Sequence, residues 1–191
     1  MDIGISGIII LAIIILSFYI YFKYNYYSKI EKLKSTIDNR YYEVQKKEDS
    51  QEAADLIAKI REKIMILTDH LNKLYPDDIR TKRLNKNLKI DNIKEGISNP
   101  NYTSYSINKG EQIILCLRTN NKIVDLNTMM FVVLHEYSHI LTESVGHTPE
   151  FWSNFRWILE ESINIGIYTK QDFNKENVEY CGMTITDTPL K

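Results

Sequence analysis

Three of the four histidines in this chain fall in one stretch, VVLHEYSHILTESVGHTPEFW, residues 132 to 152. His135 and His139 are four residues apart. On a helix, positions i and i+4 share a face, so both imidazoles can reach one zinc ion at about 2.0 to 2.1 Å, as a tetrahedral site requires. Glu136 follows the first histidine, where its carboxylate can take a proton from a zinc-bound water and pass it to a leaving amine. The implied chemistry is hydrolysis, because zinc lowers the pKa of its bound water to about 7 and polarises a carbonyl.

A catalytic zinc site takes a third protein ligand and keeps a position open for water. His147 is the candidate. Gly146 can end the preceding helix in a left-handed conformation, and Thr148-Pro149-Glu150 has a cap and an early proline with which to start the next helix. A reversal at this corner brings the His147 ring back to the His135/His139 face. The rivals are Glu160 or Glu161 on the following helix, near the separation found in thermolysin-like enzymes. Glu143 is a weaker rival, better suited to orienting a histidine.

These side chains need a frame. DLNTMMFVVLHEYSHILTE reads as a helix capped by Asn127 or Thr128, with Phe131, Leu134, Ile140 and Leu141 buried against a sheet. Ahead of it, EQIILCLR, residues 111 to 118, reads as a strand, with one or two more between Leu84 and Ile107. Ala53, Ile57, Ile60, Ile64, Leu67, Leu71 and Leu74 step by four and three, the seam of an amphipathic helix that ends before Pro76. The seam is too short for a coiled coil, so the helix packs on its own sheet. The phenylalanines and tryptophans after His147 read as core, with Trp152 or Phe155 supporting the His147 corner, and the tail after Lys170 as a turn and a short extended segment. Tyr180 or another tyrosine is a candidate oxyanion donor. His70 falls off the seam and reads as exposed. The fold class is α+β.

At the N-terminal side, IGISGIIILAIIILSFYIYF, residues 3 to 22, is an uncharged run of the length needed to cross a bilayer. It lacks the shorter apolar core and cleavage site of a signal peptide, so it reads as an uncleaved anchor. The expected organisation is a transmembrane anchor over 1–22, a polar helical or flexible stalk over 23–50 and a hydrolase domain over 51–191. Lys23, Lys29, Lys32 and Lys34 follow the span while only Asp2 precedes it, which places the domain on the cytosolic side. On that side the Asn101-Tyr102-Thr103 sequon would stay unmodified.

Composition narrows the functions further. With 24 basic and 25 acidic residues there is no basic footprint for nucleic acid, and none is expected as a partner. Cys116 and Cys181 lack CxxC spacing, which argues against a cysteine zinc module and a disulfide scaffold; both are expected to be reduced.

HEYSHILTESVGHTPEFWSNF resembles the HExxH...GHxxxFW signature of WLM-type metallopeptidases, which are similar to the SprT and YgjP groups of small zincins. The resemblance covers roughly residues 53 to 170 and is densest over 127 to 160. It implies a minimal zincin fold of helix, short sheet, HExxH helix and following helix, a zinc ion on His135, His139 and His147, and Glu136 as acid/base. Soluble members cleave proteins crosslinked to DNA; without a basic patch, that substrate is not carried over. The expected function is a membrane-anchored zinc metallopeptidase acting on a protein or peptide. The alternatives are an inactive zinc-bound membrane scaffold, against which the intact Glu136 argues, and a zinc amidase on a non-protein substrate.

Overall fold

The computed structural model describes residues 4–97 and 103–190. The first helix, α1 (Ile5–Tyr27), is followed from Ile30 by strand structure. Its apolar side chains from Ile8 to Phe22 are exposed, and Gly7–Tyr27 is long and apolar enough to cross a membrane. The helix runs past the expected end at residue 22 through the tyrosines, and the Ser28 N–H closes it on Tyr24 O at 2.9 Å.

The expected stalk is not what residues 30 to 45 form. They make an antiparallel hairpin, β1 (Ile30–Lys34) and β2 (Tyr41–Gln45), turned by Asn39 at φ 61°. The hairpin is fastened to the rest of the chain. Ser35 and Thr36 hydroxyls donate to Asp55 at 2.6 and 2.9 Å, and the Gln45 backbone N–H donates to Glu95 at 2.7 Å. Tyr42 and Val44 bury their side chains, the alternation of a half-buried strand.

The long amphipathic helix is α2 (Ser50–Leu74). Ala53, Ile57, Ile60, Ile64, Leu67 and Leu71 are fully buried, and only Leu74 of the expected seam is exposed, at the last turn. Each large side chain on this seam contributes about 1.5–3 kcal/mol by leaving water. A short helix, α3 (Ile79–Asn87), follows, capped by Asp78, whose carboxylate accepts from the Arg80 N–H.

The sheet is small. β3 (Ile93–Glu95) pairs parallel to β5 (Gln112–Leu115), and β4 (Tyr105–Ile107) pairs antiparallel on the other side of β5, as an edge. The segment expected as one strand over 111–118 breaks after Leu115, and a tight hairpin, β6 (Arg118–Thr119) and β7 (Lys122–Ile123), leads into the next helix. Buried Glu95 receives Gln45 and the Arg118 guanidinium, so one carboxylate joins β2, β3 and β6. Asn101 and Tyr102 of the sequon lie outside the described residues.

Helix α4 (Leu126–Leu141) is capped by Asp125, which accepts from the Thr128 N–H at 2.9 Å, rather than by Asn127 or Thr128. Helix α5 (Pro149–Asn164) starts at the Thr148 cap and packs on α4. A last hairpin, β8 (Val178–Tyr180) and β9 (Met183–Ile185), is joined to the sheet by a Cys116–Cys181 disulfide with Cα atoms 6.4 Å apart. The expectation of reduced cysteines is thereby corrected: the 65-residue separation hid a pair that the fold brings together. The chain is an α+β fold of helices around small sheets, with one apolar helix at its N-terminal side.

Candidate metal centre

Helix α4 is buried almost all round. Met129, Met130, Val133, Leu134, Tyr137, Ile140 and Leu141 have no exposed surface. A helix gripped on so many sides cannot rotate, and the two half-buried positions on its remaining face are His135 and His139. Their ring centroids are 5.1 Å apart. The bend after Thr142, with Gly146 at φ 84°, turns the chain so that His147 faces them. The His147 and His135 Nε2 atoms are 3.0 Å apart, and one ring nitrogen from each of the three histidines lies within 4.8 Å of the others.

Two nitrogens bound tetrahedrally to one zinc ion would be about 3.3 Å apart. The observed cluster fits that requirement with small ring movements. Burial, then the nearby His139 and His147, pushes the His135 pKa down to about 3; burial, then His147 and Lys109, lowers that of His139 to about 4. Both rings are therefore neutral at neutral pH with a lone pair free, the state in which imidazole binds metal.

The rings are backed by aromatic packing. Phe151 on the first turn of α5 is fully buried, with its centroid 4.9, 4.4 and 4.7 Å from those of His135, His139 and His147. Of the residues expected to support the corner, Trp152 packs at a tilt against His147 with centroids 5.7 Å apart, and Phe155 meets His135 edge-on at 5.3 Å. Phe151 touches all three rings, and in the sequence nothing separates it from Phe155 four positions on.

Glu136 is 6% exposed. Burial raises its pKa to about 7, against hydrogen bonds from the Ser106 N–H and hydroxyl that favour the charged form. Ser106 belongs to edge strand β4, so the sheet edge orients the carboxyl beside the histidines. Such a group can both accept and return a proton near neutral pH.

The other acidic candidates are elsewhere engaged. Glu161 is buried and bonds His70 Nε2 at 2.7 Å and the Tyr75 hydroxyl at 2.9 Å. This also corrects the reading of His70 as an exposed residue: it is half-buried on that carboxylate. Glu160 is exposed, and Glu143 pairs with Arg83. Among the described residues, the cluster able to share an ion consists of His135, His139 and His147.

The cluster opens into a cavity of about 770 Å³. Ser106 and Tyr105 of β4 line one side, and Tyr180, Met183 and Ile185 of the last hairpin line another. Tyr180 is buried on that wall; its hydroxyl donates to Cys116 O at 2.9 Å and lies 2.5 Å from Ser104 Oγ. Burial holds its phenol well above the usual range.

The family model of the WLM domain matches residues 36–189. The chain belongs to the WLM domain family. This is a metallopeptidase-type family, and the match begins inside the first hairpin, in keeping with the ties between that hairpin and α2. An uncharacterized protein of Acanthamoeba polyphaga mimivirus is 33% identical over 189 residues, covering 96% of this chain and 95% of its own length. An uncharacterized protein of Invertebrate iridescent virus 6 is 27% identical over 128 residues, 63% of this chain and 68% of that protein. The crystal structure of a Wss1 mutant from Saccharomyces cerevisiae matches with a TM-score of 0.50 and 20% identity, over 64% of this WLM chain and 87% of that one, a likeness of fold.

Proposed function

We propose that this WLM protein is a membrane-anchored zinc metallopeptidase that cleaves a protein or peptide. The reading rests on one observation: two half-buried imidazoles and a third, with one ring nitrogen of each within 4.8 Å of the others, share a cavity with the buried Glu136 carboxyl. His135, His139 and His147 would hold the ion. Zinc bound there supplies a Lewis acid for the peptide carbonyl and acidifies water. Glu136 takes the proton of the attacking water and returns it to the leaving amine, oriented by its two bonds from Ser106. The packed aromatic floor of Phe151 and Phe155 fixes the imidazoles and keeps bulk water from behind them.

The test is metal content and peptide hydrolysis by the full chain in detergent. Wild type and Glu136→Gln should each retain about one zinc per chain, with hydrolysis lost only in the latter. His147→Ala should lose hydrolysis and bind zinc far more weakly. A wild-type protein that takes up no zinc, or a Glu136→Gln protein that cleaves at the wild-type rate, overturns the assignment.

Helix α1 is assigned as the anchor, with the domain on the cytosolic side by the excess of lysines that follows it. The Cys116–Cys181 disulfide argues the other way, because such bonds persist in oxidising compartments. Protease treatment of sealed vesicles decides between them: a domain protected until the vesicles are lysed overturns the cytosolic assignment.

A further inference from the structure

His135 and His139 are immobilised by the packing of α4, but His147 rides on an exposed bend. Val145 at its apex is 87% exposed, and there is open space around Gly146. Apolar packing does not hold this apex. Polar groups on both sides do. Lys109 Nζ donates to the carbonyls of Thr142, Glu143 and Ser144 at 2.7, 2.5 and 3.4 Å. Glu150, on the first turn of α5, accepts from the backbone N–H groups of Glu143 and Ser144 at 3.1 and 3.2 Å and from the Ser144 hydroxyl at 2.8 Å. Arg83 backs the arrangement, donating to Glu150 at 3.0 Å and to Leu141 O at 3.2 Å. One ammonium and one carboxylate thus satisfy backbone groups that a helix end would otherwise leave to water.

The turn that delivers Lys109 is itself strained. Asn108, Lys109 and Gly110 have φ of 47°, 52° and 109°; asparagine and glycine tolerate the left-handed region, but a lysine there is disfavoured. A Cβ on Gly110 would lie 2.8 Å from Ile140 Cδ1, so the turn is pressed against the same helix that carries His135 and His139. Strain of this kind persists only where the surroundings impose it. Here it places one ammonium under three successive carbonyls leading to His147.

We propose that Lys109 and Glu150 are positioning residues of the metal centre. They clamp the bend so that His147 stays in reach of His135 and His139, and they set metal affinity without touching the ion. The inference rests on the metal reading above. Its consequence is specific: apart from the Lys109 charge felt by His139, the clamp acts through His147, so its positioning contribution vanishes once that ring is gone.

The test uses the full chain in detergent, stripped of metal. Zinc affinity is measured by competition with a chromogenic chelator, and coordination by the visible absorption of bound cobalt. Lys109→Met keeps the aliphatic stem and removes the donors; Glu150→Gln keeps the shape and removes the charge. Each should weaken zinc binding by about 10- to 100-fold and diminish the cobalt bands. In a His147→Ala background, Lys109→Met should change the residual affinity by less than about threefold, the signature of action through one shared group. Leu67→Ala, a buried change on α2 away from the centre, reports what general destabilisation does to affinity. The proposal is overturned if both clamp variants bind zinc within threefold of wild type, if Leu67→Ala matches their loss, or if Lys109→Met weakens His147→Ala as much as it weakens wild type. Absence of zinc binding in wild type would instead sink the metal reading and this inference together.

Discussion

Breaking the Cys116–Cys181 bond should cost the fold far more than an exposed substitution would. The bond closes a loop of 65 residues that contains β6, β7, α4 and α5, and hence the whole histidine cluster. In the chain-entropy account, restraining a loop of that size in the unfolded state is worth about 4 kcal/mol. Metal-free wild type and a Cys116→Ser/Cys181→Ser variant, both in detergent, are compared by urea unfolding followed through Trp152 and Trp157 fluorescence. With a urea slope of about 2 kcal/mol per molar, the midpoint should fall by about 2 M in the variant. A dithiol reductant should bring wild type to the same value and leave the variant unmoved. The loss should also be local before it is global: amide exchange should quicken first over residues 178 to 187, where the hairpin retains the Tyr180 bond to Cys116 O and the Thr119 hydroxyl bond from the Cys181 N–H. If oxidised wild type, reduced wild type and the double variant unfold at one midpoint, the cysteines are not paired and packing alone seats the hairpin against the cavity.

Two further outcomes follow from the buried acids. In metal-free protein the Glu136 carboxyl titrates near 7 in the fold against 4.5 when free, so its stabilising contribution is full below pH 4.5 and is lost as pH rises through 7. Glu136→Gln removes that loss, and its stability relative to wild type should improve by about 2–3 kcal/mol between pH 5 and 8; a gap independent of pH refutes the burial argument. Glu161→Ala leaves His70 and Tyr75 without their acceptor and should cost about 1–3 kcal/mol while zinc content stays at wild-type level, whereas zinc loss would restore Glu161 as a ligand.

The legible parts of the molecule were those in which residue type and local spacing carry the information. Three histidines and a glutamate announce themselves because metal chemistry tolerates few substitutes. The α2 seam was readable because six of its seven expected positions repeat a helical period and are fully buried. The first hairpin is illegible in the sequence for a reason of the same kind. Its strands are five residues long, expose Lys32, Lys34 and Tyr41, and bury little beyond Ile30, Tyr42, Val44 and Gln45, so charge obscures their period. The Asp38-Asn39 turn was the available signal, and it is compatible with a flexible linker as well. Helix α3 buries only Thr81 and Leu84 and left still less to read.

The missed features have a common physical origin in polar pairs between distant positions. His70 with Glu161 spans 91 residues, Gln45 with Glu95 spans 50, and Lys109 with Thr142 spans 33. Hydrophobic periodicity says which face of an element is inward; it carries no information about which buried acid meets which base, because that depends on the tertiary arrangement. Two of the three fasten pieces too short or too exposed to be held by apolar burial, the hairpin at β2 and the bend that carries His147, while His70 with Glu161 ties α2 to α5. Apolar seams therefore determine where α2 and α4 lie, while a few long-range hydrogen bonds determine whether the third histidine arrives. On this division, core substitutions in α2 should act mainly on folding stability, and substitutions at Lys109 or Glu150 mainly on what the folded protein can bind.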